Sequence, residues 1–270
     1  MFPKSMGHRI DMLGTGNAFL PHGRHHSFAM LDRLHLVDAP PTALAGLRRS
    51  GQSVANIRTI FITHVHGDHI FGFPFILLER KYISDREGIM PLRVVTTTFG
   101  KQRLYTICHL AYPGSLDTML ESIEWDLNNE GCTDDGWQWQ RFEVHHDDAV
   151  EPFGYRFAHE DGANFVHSGD SGPCQRLYEE IKRSSLAILE MGIPDWVDST
   201  HHHKPRDIAA LAMRCLTPLA ITHTFIDDKS EFPPILTDQL PDHPHHVHHI
   251  MDGSSIHWDG QSWTFSMLPK

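Results

Sequence analysis

Six consecutive residues constrain this chain more than any other stretch. Thr59 to Ile62 is a short run rich in β-branched side chains, and it passes through Thr63 directly into His64-Val65-His66-Gly67-Asp68-His69. A strand that ends in four ligand-capable side chains puts imidazoles and a carboxylate at a sheet edge, where functional loops sit. In an open loop His64 and His66 can turn toward one metal ion while Asp68 and His69 reach a second. Gly67 lets the backbone fold tightly between the two pairs. Imidazole and carboxylate together suit zinc, with manganese or iron as alternatives.

The rest of the chain supplies sheets and helices around that loop. Arg9 to Leu13 reads as a strand ending in the turn Gly14-Thr15-Gly16-Asn17, and Ser27 to Leu31 with Leu34 to Val37 reads as a hairpin. Helices are expected over Pro41 to Arg49, His69 to about Tyr82, Pro173 to Lys182 and Pro205 to Cys215. Further strands are expected over Trp137 to Val144, Phe153 to Ala158, Asn164 to His167, Leu186 to Leu189 and Leu219 to Thr222. Leu92 to Asn129 mixes strand and helix signals. Strands alternating with helices imply an α/β protein whose sheets are covered by helices.

Composition narrows the class. The chain has 270 residues, 40% hydrophobic and 21% charged, enough for a sizeable core without disulfides. Cys108, Cys132, Cys174 and Cys215 show no paired spacing, so they read as small reduced core residues. Met1 to Ile10 lacks a signal-peptide apolar stretch, and the longest apolar run, Ile70 to Leu78, is too short to span a bilayer. A cytoplasmic protein without membrane contact is expected. The net charge of −11 argues against a broad nucleic-acid surface. There are 23 histidines, and those at His243, His245, His246, His248 and His249 are expected in a solvated surface loop outside the site.

The His-x-His-x-Asp-His motif resembles the signature of the metallo-β-lactamase superfamily, and its His-x-His-Gly-Asp-His form resembles the ribonuclease Z-like, phosphodiesterase-like branch. Other segments match in family order. Leu13-Gly14-Thr15-Gly16-Asn17-Ala18 resembles the opening strand and turn. Leu36-Val37-Asp38-Ala39-Pro40 resembles the second hairpin, whose aspartate buttresses the metal loop. Ser168-Gly169-Asp170-Ser171-Gly172 resembles the segment with a bridging aspartate, and Ile221-Thr222-His223-Thr224 the last ligand segment. Met251-Asp252-Gly253 resembles the closing strand region.

The resemblance implies a four-layer αββα sandwich over residues 1–270 as one hydrolase domain. It also implies a dinuclear site with a bridging hydroxide, whose ligands are His64, His66, Asp68, His69, Asp170, His223 and one middle histidine. His146 fits the middle position because it shares a strand face with Phe142 and Val144; His145 and Asp148 compete with it. One residue of the His201-His202-His203 run is implied near the scissile phosphate, with His202 in best register and His203 next. Glu190 and Asp207 read as supporting or capping residues. Asp68, His202 and His203 are thus the candidate proton-handling residues.

The implied activity is hydrolysis of a small anionic phosphodiester with two divalent metal ions. Ester, sulfate-ester and lactone hydrolysis are alternatives, and a homodimer is compatible with the family. The transfer-RNA processing enzymes of the branch insert a long arm between the middle histidine and the bridging aspartate. Here the short stretch from His146 to Asp170 already holds a hairpin, so transfer-RNA maturation is not expected. A non-hydrolytic di-iron relative would carry glutamate where His66 stands.

Overall fold

The computed structural model describes residues 7–226 and 245–266. Two mixed β-sheets lie face to face. The first runs in the order β15 (Trp263–Ser266), β14 (Ser255–Trp258), β1 (Arg9–Gly14), β2 (Phe28–Leu31), β3 (His35–Val37), β4 (Thr59–Phe61), β5 (Arg93–Val95) and β6 (Glu124–Asp126). The second runs β13 (Val247–His249), β12 (Leu219–Thr222), β11 (Ala187–Glu190), β10 (Asn164–His167), β9 (Phe153–Ala158), β8 (Gln138–Glu143) and β7 (Glu130–Cys132).

Three apolar layers hold these sheets. Ile10, Met12, Val37 and Phe61 of the first sheet meet Trp139, Tyr155, Phe157 and Ile188 of the second. Phe61 sits at the centre, edge-on to Trp139, Tyr155 and Phe157 at centroid distances of 5.7, 5.4 and 5.0 Å. Helices α1 (Ala43–Arg49), α3 (Phe73–Glu79), α4 (Thr98–Ala111) and α5 (Asp117–Ser122) cover the outer face of the first sheet through Leu47, Ile76, Leu77, Leu104 and Leu120. Helices α6 (Gln175–Arg183) and α7 (Pro205–Ala212) cover the second through Leu177, Ile181, Ile208 and Leu211. The result is the α/β, αββα arrangement expected from the sequence.

Strand direction decides where side chains converge. β3, β4, β5 and β6 run parallel, as do β10, β11, β12 and β13, and two antiparallel steps bring β1 and β8 into the same sense as β3 and β10. The loops after β1, β3, β4, β8, β10, β11 and β12 therefore emerge at one edge, where functional groups of such sheets belong.

Several expectations need correction. The helix expected from His69 to Tyr82 is broken: α2 (Gly67–Ile70) ends at Phe71, and α3 begins at Phe73. Gly72 is the cause. Its N–H donates to the Ala39 carbonyl at 2.8 Å, and any Cβ there would strike the Pro40 carbonyl. Only Cys108 and Cys215 are buried; Cys174 is half-buried and Cys132, on an edge strand, is exposed. Met251-Asp252-Gly253, matched to the closing strand region, is the turn that leads into β14. The histidine-rich tail is only partly loop. Val247–His249 forms β13, with His248 stacked on Phe265 at 3.9 Å, while His245 and His246 lie in the preceding turn. His243 lies outside the described residues. Among the described residues no helix is long and apolar enough to cross a membrane.

Candidate metal centre

The backbone after β4 stays extended through His66, which has φ −66° and ψ 153°, and then coils into α2. Extended residues two apart share a face, so His64 and His66 lie side by side. Asp68 and His69 fall in the first turn of α2 and swing to the other side of the loop. His146 follows β8, Asp170 follows β10 and His223 follows β12, and these segments meet the loop after β4 at the same edge.

Their ring nitrogens and carboxylate oxygens form two clusters. In the first, His66 Nδ1 lies 3.1 Å from both His64 Nε2 and His146 Nε2. In the second, His223 Nε2 lies 3.4 Å from Asp68 Oδ2 and 3.3 Å from Asp170 Oδ2. His69 Nε2 lies 3.5 Å from Asp68 Oδ2 and 3.3 Å from Asp170 Oδ1. Asp170 also comes within 3.8 Å of His64 Nε2, which makes it the group shared by both.

These distances fit a cation. Zinc with ligands at about 2.0–2.1 Å in a tetrahedron spaces its donor atoms roughly 3.3 Å apart. His69 Nε2 is buried with no hydrogen-bond partner, although it faces two carboxylates. Its other nitrogen, Nδ1, donates to Asp38 Oδ2 at 2.7 Å, so the ring's orientation is fixed. Asp38 also receives the Thr63 N–H and hydroxyl, each at 2.8 Å, and thereby ties the loop to β3. His146 Nδ1 donates to the His201 carbonyl at 2.9 Å, which turns Nε2 toward His66.

The electrostatics reflect a polar cluster out of water. Burial lowers the pKa of His64 well below its usual value, and the neighbouring His69 adds to this. Burial also lowers His146. For Asp170, burial works upward, but the imidazoles of His223 and His69 outweigh it and hold the carboxyl well below the usual range. Asp68 is lowered in the same way, chiefly by His69. For His69 burial works downward, and the carboxylates of Asp170, Asp68 and Asp38 reverse it.

The structure separates the candidates left open by the sequence. His146 is buried in the first cluster, whereas His145 is exposed and meets Thr200 Oγ1 at 3.1 Å. Asp148 is exposed in a short 3-10 turn. His202 lines the cleft, and its Nδ1 donates to Glu190 Oε1 at 3.0 Å. Burial pushes His202 down, but the Glu190 carboxylate raises it to about 9. His203 does not face the cleft. It is fully buried, with its two ring nitrogens engaged by the Ser171 carbonyl and the Tyr178 hydroxyl. Asp207 accepts the Lys204 N–H at 3.0 Å and caps α7.

The cleft above the clusters has a volume of about 290 Å³. Asn17, Phe19, Gly192 and Ile193 line it, and the sequence reading did not single these out as site residues. Asn17 Nδ2 donates to the Gly192 carbonyl at 2.8 Å and braces the loop carrying Phe19, which is 81% exposed. The Gly14-Thr15-Gly16-Asn17 turn was the only signal for this wall.

A family model described as anti-Pycsar protein Apyc1 matches residues 8–194. The chain belongs to the Apyc1 family. Its ribonuclease Z relatives and structural neighbours make the chain a ribonuclease Z-like, phosphodiesterase-like member of the metallo-β-lactamase superfamily. The anti-Pycsar protein Apyc1 of Paenibacillus sp. is 37% identical over 87 residues, covering 32% of this chain and 36% of the relative. A ribonuclease Z of Nostoc sp. is 27% identical over 195 residues, covering 68% of this chain and 58% of the relative. The chain thus spans between about a third and three-fifths of these two relatives' lengths. Human tRNase Z, short form, superposes with a TM-score of 0.69 at 20% identity, covering 92% of this chain and 98% of that one. YhfI of Bacillus subtilis, a metallo-β-lactamase fold protein, gives 0.71 at 13% identity, covering 93% and 100%. Unliganded yeast PDE1 gives 0.67 at 14%, covering 94% and 100%. This fold implies divalent metal ions, and the Apyc1-family chain carries His and Asp clusters suited to them.

Proposed function

We propose that this Apyc1-family chain is a dinuclear metal-dependent hydrolase of small phosphodiesters, cyclic nucleotides included. The observation that carries the reading is the pair of donor clusters sharing Asp170 on the floor of a cleft of about 290 Å³. His64, His66 and His146 would hold one divalent ion, zinc before manganese or iron. Asp68, His69 and His223 would hold the other, with Asp170 between them. Two such ions acidify water and act as Lewis acids toward phosphoryl oxygens.

The chain's own residues supply the proton traffic. Asp68 lines the cleft as an anion and is positioned to accept the proton of the attacking water. His202, held by Glu190 and raised to about 9, keeps a proton at neutral pH and donates it to the departing oxygen. Glu190 is fixed in turn by N–H groups of Ser171 and Gly192, so the His202 ring has one orientation. An anion is drawn in despite the acidic chain, because the cations dominate the local field.

Small size is supported by the stretch between His146 and Asp170, which consists of one 3-10 turn and the β9–β10 hairpin. It leaves no arm to grip transfer RNA, so transfer-RNA maturation is not part of the proposal. Family membership adds an anti-Pycsar role, as the relative's name states for that protein.

One panel tests the reading: bis(p-nitrophenyl) phosphate, cyclic nucleotides, an aryl phosphomonoester, an aryl sulfate, a lactone and a precursor transfer RNA. Turnover confined to the diesters supports it. Preference for the sulfate or lactone, or position-specific cleavage of the precursor, overturns it.

A further inference from the structure

We infer that His8, His159 and Asp161 form a separate binding site for a divalent transition ion such as zinc, at the pole of the sandwich opposite the catalytic cleft. His8 precedes β1, and Asp161 lies in the turn between β9 and β10. β1 and β10 run away from this pole toward the cleft. At about 3.4 Å per residue the six residues of β1 alone separate the two regions by roughly 20 Å.

The geometry is that of a pre-oriented metal ligand. His8 Nδ1 donates to Asp32 Oδ2 at 2.6 Å. Asp32 is itself held by the Arg9 N–H at 2.7 Å and the Trp137 indole N–H at 2.8 Å. A carboxylate on Nδ1 fixes the tautomer of the neutral ring, so that Nε2 is the nitrogen offered to a cation. That Nε2 lies 3.3 Å from Asp161 Oδ2. His159 Nδ1 lies 3.1 Å from Asp161 Oδ1, and a cation bound there would displace its long 3.4 Å contact with the Asp161 N–H. Two imidazole nitrogens therefore flank one carboxylate with the three donor atoms within 4.8 Å of one another, a spacing that one cation can span.

Two imidazoles and a carboxylate select a first-row transition ion over calcium or magnesium, which prefer oxygen. The side chains of His8 and His159 are 14% and 15% exposed and that of Asp161 30%, so an ion can enter and keep a water ligand. Because His8 leads into the first sheet while His159 and Asp161 join two strands of the second, the ion would clamp the two sheets together. The competing arrangement is a proton on His8 between Asp32 and Asp161.

Zinc stoichiometry separates the two. Wild type, His8→Asn and His159→Gln are stripped with chelator, reloaded with zinc chloride, desalted and counted. One zinc fewer per chain in each variant, with bis(p-nitrophenyl) phosphate turnover unchanged, is the expected result. The comparison is a difference, so it stands whatever the catalytic cleft holds. Histidine-ring nitrogen NMR of the stripped wild type gives a reading that needs no variant: zinc should move the His8 and His159 signals. Equal zinc counts, or ring signals that respond to pH but not to zinc, would overturn the site and leave a proton-held ion pair.

Discussion

Asp38 accepts the Nδ1–H of His69 at 2.7 Å while His69 Nε2 points at Asp68 and Asp170. One carboxylate outside the cluster thus decides which face of an imidazole the cluster receives. Asp38→Asn keeps the shape but turns an acceptor into a donor-acceptor of uncertain register. We predict a 10–100-fold loss of metal affinity or turnover with folding intact, as is typical of such supporting partners. Metal analysis and circular dichroism on the same preparation check this.

His145 and His146 are neighbours with opposite surroundings. His146→Ala should remove one ion and most of the diester turnover, while His145→Ala should change turnover less than about two-fold, since a surface substitution seldom matters. Metal content and kcat/KM for bis(p-nitrophenyl) phosphate decide it. The reverse pattern would mean the middle donor is one residue earlier.

Asp170 is shared by both clusters, so its loss should be worse than that of any single imidazole. Asp170→Ala is expected to lose both ions together and at least about 10³-fold in turnover, because removing an anion between two cations leaves them to repel. His223→Ala, measured beside it, should retain the His64, His66 and His146 ion.

Asp135 sits far from the cleft and reports on stability. Burial raises its pKa, but hydrogen bonds from His35 and Thr133 outweigh this and bring it to about 2. A carboxylate lowered on folding stabilises above its unfolded pKa, near 3.9, and loses that contribution as pH falls toward 2. Because the side chain is 30% exposed, the contribution should stay below about 1 kcal/mol. Asp135→Asn should lower the urea midpoint at pH 6 and leave it nearly unchanged near pH 2.

Phe61 is completely buried between the sheets. Phe61→Ala should cost about 3–5 kcal/mol, the usual range for a fully buried phenyl group. Chemical denaturation measures it; a loss under 1 kcal/mol would show that the three facing aromatics collapse into the gap.

The strands of the second sheet were readable because they alternate or are β-branched: β9, β10 and β12 fall on the residues expected. The break before α3 had a local sign in Gly72 and Pro74, but the packing of Gly72 against the Pro40 carbonyl, distant in sequence, did not. The candidate donors were readable because each follows an apolar strand. Glu190 read as a supporting residue, yet its grip on His202 appears only when β11 and the loop before α7 meet. His202 and His203 looked interchangeable in the sequence, and burial against Ser171 and Tyr178 is what separates them. The Phe19 wall left almost no trace, because a loop residue acquires a role only from what lies across the cleft.

The donor atoms come from four loops spread between His64 and His223, drawn from both sheets. No local segment contains either cluster, so the centre cannot form on a partly folded chain. Loop-closure entropy puts such long-range encounters late in folding. Metal held at the proposed centre would therefore mark the completion of the fold: an ion arriving early finds scattered imidazoles, and one arriving late finds a finished cage.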